Sequence, residues 1–218
     1  TAAPKFKELA DDALVSLLRS DSATVRLHTQ QEILNREAGI ASAVLAIAAD
    51  STASAESRVA AIFTYAQLLG SKANTGLVSL TNDANIREFA LRALADRKPY
   101  SSKTSTAPFI AGLQDKNPRV QAVAAIGLGR IGKLETAKAL LNAAVPPAPM
   151  KPSTQKGHQG GPHATPHPAV IIPHLAVQSL VSMGATDASL AAVDSPSQDG
   201  ALWALRLMHD PQGVDGLI

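Results

Sequence analysis

Apolar residues along this chain recur with a helical period. Between residues 118 and 132, Val120, Val123, Ala124, Gly127, Leu128 and Ile131 fall at i, i+3, i+4, i+7 spacing, which places them on one face of a helix. The stripe opens with a β-branched residue beside an arginine, after a polar turn. That opening recurs at Asp21–Arg26, at Glu56–Ile62, at Asn82–Arg87 and at Asp115–Ala124, with anchors Val25, Val59, Ile86 and Val120 spaced 34, 27 and 34 residues apart. Such a period holds two short helices and their turns. The pattern predicts motif helices over 23–37, 55–69, 84–97 and 118–131. Partner helices are predicted before them over 10–19, 40–49, 72–80 and 106–113, with a further one over 135–144. Helices over 170–183, 187–193 and 198–208 follow, then a turn at Leu207–Pro211 and a helix opening at Gly213. No segment alternates like a strand.

The flanking residues suit this reading. Asp or Ser ahead of a helix caps its unpaired N–H groups, and Pro118 fits a first helical turn, where no N–H is lost. Gly70 and Gly132 stand where a left-handed C-cap is expected. Gly127 and Gly129 each weaken a helix by roughly 1 kcal/mol relative to Ala; they make sense where a neighbouring helix comes very close.

The run Pro118-Arg119-Val120-Gln121-Ala122-Val123-Ala124-Ala125-Ile126-Gly127-Leu128-Gly129-Arg130-Ile131-Gly132 resembles the HEAT family, most closely its short bacterial form. The resemblance implies an all-α fold: a right-handed alpha-alpha solenoid of about six HEAT-like helical hairpins, because one hairpin cannot bury its apolar face alone. Residues 1–218 are expected to form a single repeat domain, with an irregular insertion at 146–169.

Composition narrows the chemistry. Hydrophobic residues make up 45% but aromatics only 3%, so the core is Ala, Leu, Val and Ile, suited to closely packed helices. With no cysteine, disulfides, thiolate metal sites, a Cys nucleophile and thioether-attached haem are excluded for these residues. No apolar run is long enough to cross a membrane as a helix, so membrane insertion is not expected. The first residues given do not read as a signal peptide. Thr1–Lys5 reads as a cut site and Asp215–Ile218 as a helix just begun, so the segment is expected to belong to a longer protein.

Three further stretches carry a narrower resemblance: Lys5–Leu9 with Val25–Arg36, Ile172–Val181, and Ala201–Pro211. Together they resemble the helical middle segment of large exported bacterial proteins with a glucose/sorbosone-dehydrogenase-type propeller and a c-type cytochrome domain. The resemblance implies a spacer between two redox modules and an exported, periplasmic setting. That family's chemistry sits on the propeller and on a Cys-x-x-Cys-His motif, so no catalytic or cofactor residue is carried over to this segment.

Charge is unevenly spread. Residues 87–156 hold 12 basic and 4 acidic side chains, residues 1–86 hold 7 and 9, and residues 157–218 hold 1 and 5. Arg26, Arg58, Arg87 and Arg119 recur once per unit and are the binding-face candidates, as a positive stripe for phosphates or acidic peptides. The bland alternative is a ladder of Arg–Asp contacts between repeats, with Asp21, Asp83 and Asp115 as partners, worth roughly 0.2–1 kcal/mol each.

Residues 146–169 break the pattern, with seven prolines and three glycines that exclude regular structure. A loop this long is usually functional or disordered. It carries His158, His163 and His167, with His174 just beyond. Imidazoles can ligate Zn, Cu, Ni or Fe, so these three are the candidate ligands of a weak metal site. Their spacing matches no finger or His-Glu-x-x-His helix, and no carboxylate lies between Glu135 and Asp187. A mobile or partner-contacting loop is the stronger expectation. Trp203 is expected in the core, His28 as an inter-repeat histidine, His174 as a donor to a nearby carbonyl, and Ser101-Ser102-Lys103 as a polar turn.

The function expected is a non-catalytic protein-interaction and scaffolding module, with protein as partner. A nucleic-acid-binding repeat protein using a basic face is the alternative. The near absence of basic–aromatic interleaving speaks against it. A tetrapyrrole lyase or chaperone is a more distant analogy.

Overall fold

In the computed structural model, residues 4–36, 38–97, 103–146 and 168–217 are described. Among them there is no strand. The chain divides into two compact units, Thr1–Pro108 and Phe109–Ile218.

The first unit contains α1 (Asp11–Ser16), α2 (Ala23–Asn35), α3 (Ala41–Ala49), α4 (Ala55–Leu69), α5 (Asn74–Leu80) and α6 (Arg87–Ala95). They pair as three hairpins. The second helices, α2, α4 and α6, pack in one row, and α1, α3 and α5 pack in another. Leu14, Leu18, Ile33, Val44, Ile62, Leu77 and Leu91 are buried between the rows. Short 3-10 turns extend several first-row helices, at Leu17–Arg19 and Gly70–Ala73.

Helix α7 (Ala107–Gly112) spans the boundary, and Phe109 is fully buried. The second unit then holds α8 (Pro118–Ile131), α9 (Ala137–Ala143), α10 (Ile171–Ser182), α11 (Thr186–Leu190), α12 (Gln198–Met208) and α13 (Pro211–Asp215). Again there are two rows: α8, α10 and α12 in one, and α9, α11 and α13 in the other.

The helix boundaries follow from capping. Ser54 Oγ accepts from Ser57 N–H, and Asn117 Oδ1 accepts from Arg119 N–H, so α4 and α8 begin where the sequence places them. Gly132 and Gly70 take positive φ, 71° and 56°, just past α8 and α4. Helix α13 starts at Pro211, earlier than the expected Gly213. Asp210 Oδ1 accepts from Gln212 N–H, and Pro211 fills the first helical turn.

The close approach expected at Gly129 is real. A Cβ there would lie 2.6 Å from Ser179 Oγ and 2.9 Å from Ser179 Cα on α10. The same serine donates to Ala125 O at 2.9 Å. Gly200 on α12 meets the backbone of Ala144 in the same way.

Candidate functional site

The recurring arginines lead to the inter-helix turns. Six of these turns are organised by a short polar side chain that accepts an N–H two residues on: Ser20 from Ser22, Asp50 from Thr52, Asp83 from Asn85, Asp115 from Asn117, Ser195 from Ser197 and Asp210 from Gln212. These local bonds mimic a backbone turn and set the angle between consecutive helices.

Three of these carboxylates divide their oxygens. Oδ1 closes the turn, and Oδ2 accepts from an earlier part of the stack. Asp50 Oδ2 takes Arg19 Nη2 at 2.6 Å, Asp83 Oδ2 takes Arg58 Nη2 at 2.6 Å, and Asp210 Oδ2 takes Thr186 Oγ1 at 2.8 Å. The Arg58 guanidinium, helped by Asn85 N–H, holds the Asp83 carboxyl below its usual range. The Thr52 hydroxyl and N–H, then Arg19, do the same for Asp50.

Arg26, Arg58 and Arg87 are all engaged by the chain itself. Arg26 Nη1 donates to the carbonyls of Ser20 (2.6 Å) and Asp21 (3.1 Å). Arg87 Nε donates to Thr81 O at 2.6 Å and its Nη2 to Asn82 O at 3.3 Å. Arg58 is buried and joins Ala48 O, 2.9 Å from Nε, to Asp83. In the fourth copy the same reach, six residues back, belongs to Gln121, whose Nε2 lies 2.6 Å from Asp115 O. Arg119, the fourth candidate, sits exposed at the start of α8 and also has an interaction partner. Arg58–Asp83 realises a rung of the anticipated arginine–aspartate ladder in the form the sequence suggested. The Arg19–Asp50 pair, 31 residues apart, carried no periodic signal.

His158, His163 and His167, and with them the candidate metal site, lie outside the described residues, as do Ser101 and Ser102. His28 is exposed rather than wedged between repeats. Its ring lies 5.6 Å from that of Phe6, and Nδ1 is 3.2 Å from Gln31 Oε1. His174 is exposed as well, and its ring packs 5.9 Å from the half-buried Trp203, across the α10–α12 interface. Both imidazoles pack at a tilt against an aromatic ring, 46° and 44° between planes, which sequence spacing does not announce.

The remaining surface of the second-helix rows is apolar in places. Leu27 and Leu34 on α2 are 51% and 36% exposed. In the second unit, Ile126 on α8 and Ile171 on α10 are 41% and 47% exposed. Among the described residues, no helix is long and apolar enough to cross a membrane.

A HEAT-repeat family model matches residues 74–149. With the paired helical rows, this defines the chain's class: a HEAT-like helical repeat fold. Among solved structures, the crystal structure of an engineered protein from a structural genomics consortium is similar at a TM-score of 0.40 and 16% identity, over 91% of this chain and 96% of that one. None of the curated proteins matches this chain.

Proposed function

We propose that this chain is a non-catalytic protein-interaction module, serving as the spacer between a propeller-type dehydrogenase domain and a c-type cytochrome domain of one exported protein. One observation carries the interaction reading. The guanidinium groups of Arg26, Arg58 and Arg87 are committed to the chain's own turns, while Ile126 and Ile171 stand exposed on the second-helix row of the second unit. A contiguous exposed apolar patch is what a protein partner covers, and α8 and α10, which carry these two side chains, pack against each other. HEAT repeats generally mediate protein interactions, which supports the same reading. The spacer role rests on the resemblance of Lys5–Leu9, Val25–Arg36, Ile172–Val181 and Ala201–Pro211 to the middle segment of that family.

The test is to sequence the reading frame on both sides of this segment. A propeller-type region upstream with Cys-x-x-Cys-His downstream supports the spacer role. A frame that encodes neither overturns it, and leaves the interaction module to be tested alone.

A further inference from the structure

The faces of α8 and α10 are unusual in their charge. On α8, Arg119, Ile126 and Arg130 follow at i, i+7 and i+11, which brings all three within about 20° of one line along the helix. All three are exposed. Ile171, Gln178 and Ser182 repeat that spacing on α10 and are exposed as well. Neither helix contains an aspartate or a glutamate. The acidic side chains of this unit stand on the turns and on α11, α12 and α13 instead. Asp115, four residues before Arg119, is half-buried in the turn that it closes on Asn117 N–H.

The two helices present one surface because their backbones nearly touch. Ser179 Oγ donates to Ala125 O at 2.9 Å, and a Cβ at Gly129 would meet Ser179 Cα at 2.9 Å. Ile126 follows Ala125, Arg130 follows Gly129, and Gln178 precedes Ser179. The exposed side chains of both helices therefore flank the crossing directly.

We propose that this face receives an acidic, aliphatic segment of a protein partner, with carboxylates over Arg119 and Arg130 and an apolar side chain over Ile126. The inference rests on the interaction reading above and names the partner's chemistry at that surface. Charge selects the occupant: two guanidinium groups on helices without carboxylates attract an anionic partner. Arg119 and Arg130 each have an interaction within the chain. A guanidinium carries five N–H donors, and both side chains remain exposed to a carboxylate. Spacing favours protein over nucleic acid. The two arginines are 11 residues apart, so roughly 16 Å of helix separates them, with aliphatic surface between. A nucleic-acid strand carries a phosphate about every 3.4 Å and would lay most of its charge over Ile126 and the uncharged side chains of α10.

The probe is a labelled peptide of about 15 residues, leucine and glutamate in amphipathic helical order, titrated with the chain and followed by fluorescence anisotropy. The expected result is saturable binding that weakens with added salt and falls at least about tenfold in R119E/R130E. Exchanging the glutamates of the peptide for lysine is expected to do the same. K72E makes an equivalent charge change at an exposed position of the other unit and is expected to leave the affinity within about twofold. R119Q/R130Q removes the charges without placing carboxylates on α8, and it keeps the test readable if the reversal unfolds the chain; circular dichroism verifies the fold. No binding of the acidic peptide, or equal binding of the lysine peptide, overturns the proposal. So does tighter binding of a duplex DNA, or self-association of the chain alone that R119E/R130E abolishes, each of which gives the face a different occupant. Titration with the domains proposed to flank this chain separates the two readings. Binding that I126D weakens and R119E/R130E leaves unchanged sinks the acidic segment and keeps the interaction reading. Binding of the acidic peptide with binding of neither domain supports the acidic segment and counts against those domains as partners.

Discussion

Arg58 and Asp83 lock one turn to the next: the guanidinium donates to Asp83 Oδ2 at 2.6 Å while its Nε holds the Ala48 carbonyl at 2.9 Å. The arginine side chain is 4% exposed and the aspartate 31%. Removing Arg58 therefore strands two acceptors, one of them charged. The substitution R58A is expected to cost about 2–4 kcal/mol of unfolding free energy, read by urea denaturation. R58K, which keeps the charge but not the forked geometry, is expected to recover only part of it.

The same carboxylates make stability depend on acid. Asp83 and Asp50 are both held below the ordinary carboxylate range in the folded chain. A depressed folded pKa means that their contribution is fully present above the unfolded value, about 3.9, and is lost as pH falls through the folded one. Thermal unfolding followed from pH 7 down to pH 2 should show a decline that begins near pH 4. The double variant D50N/D83N is expected to be less stable at pH 7 and to lose less on acidification.

Gly129 is constrained by space. A methyl group there meets Ser179 Cβ at 2.7 Å and Cα at 2.9 Å, so α8 and α10 must separate to admit it. Alanine favours helix over glycine by about 1 kcal/mol, but overpacking costs typically 1–3. G129A is expected to lower Tm, and S179A is expected not to rescue it, because the clash reaches the serine backbone.

Ser189 gives the opposite sign. Its Oγ is fully buried without a hydrogen-bond partner. An unsatisfied buried hydroxyl costs about 1–3 kcal/mol, and alanine removes it with little loss of volume. S189A is expected to be neutral or to stabilise the second unit, measured by denaturant midpoint.

The helices were legible wherever a cap and an apolar stripe agreed. The spans 55–69, 118–131 and 198–208 coincide with α4, α8 and α12 because Ser54 and Asn117 cap the first two and His209 ends the third in a left-handed conformation. Helix α6 begins at Arg87 rather than residue 84, since the turn closed by Asp83 on Asn85 occupies the residues between. The recurrence of arginine was legible too, and the destination of its donors was not. A backbone carbonyl six residues back, as for Arg26 and Arg87, has no residue signature. The partnering of His174 with Trp203, 29 residues apart, depends on how α10 and α12 lie side by side, which only the packed structure supplies.

The interaction reading is tested most directly by calorimetric titration of this chain with the propeller-type and cytochrome domains proposed to flank it, each expressed separately. The expected result is binding to at least one domain, weakened about tenfold or more by I126D or I171D, both exposed positions whose change leaves the fold intact. No binding to either domain, or binding that neither substitution alters, would contradict the proposal that the second-helix row of the second unit is the surface this protein uses.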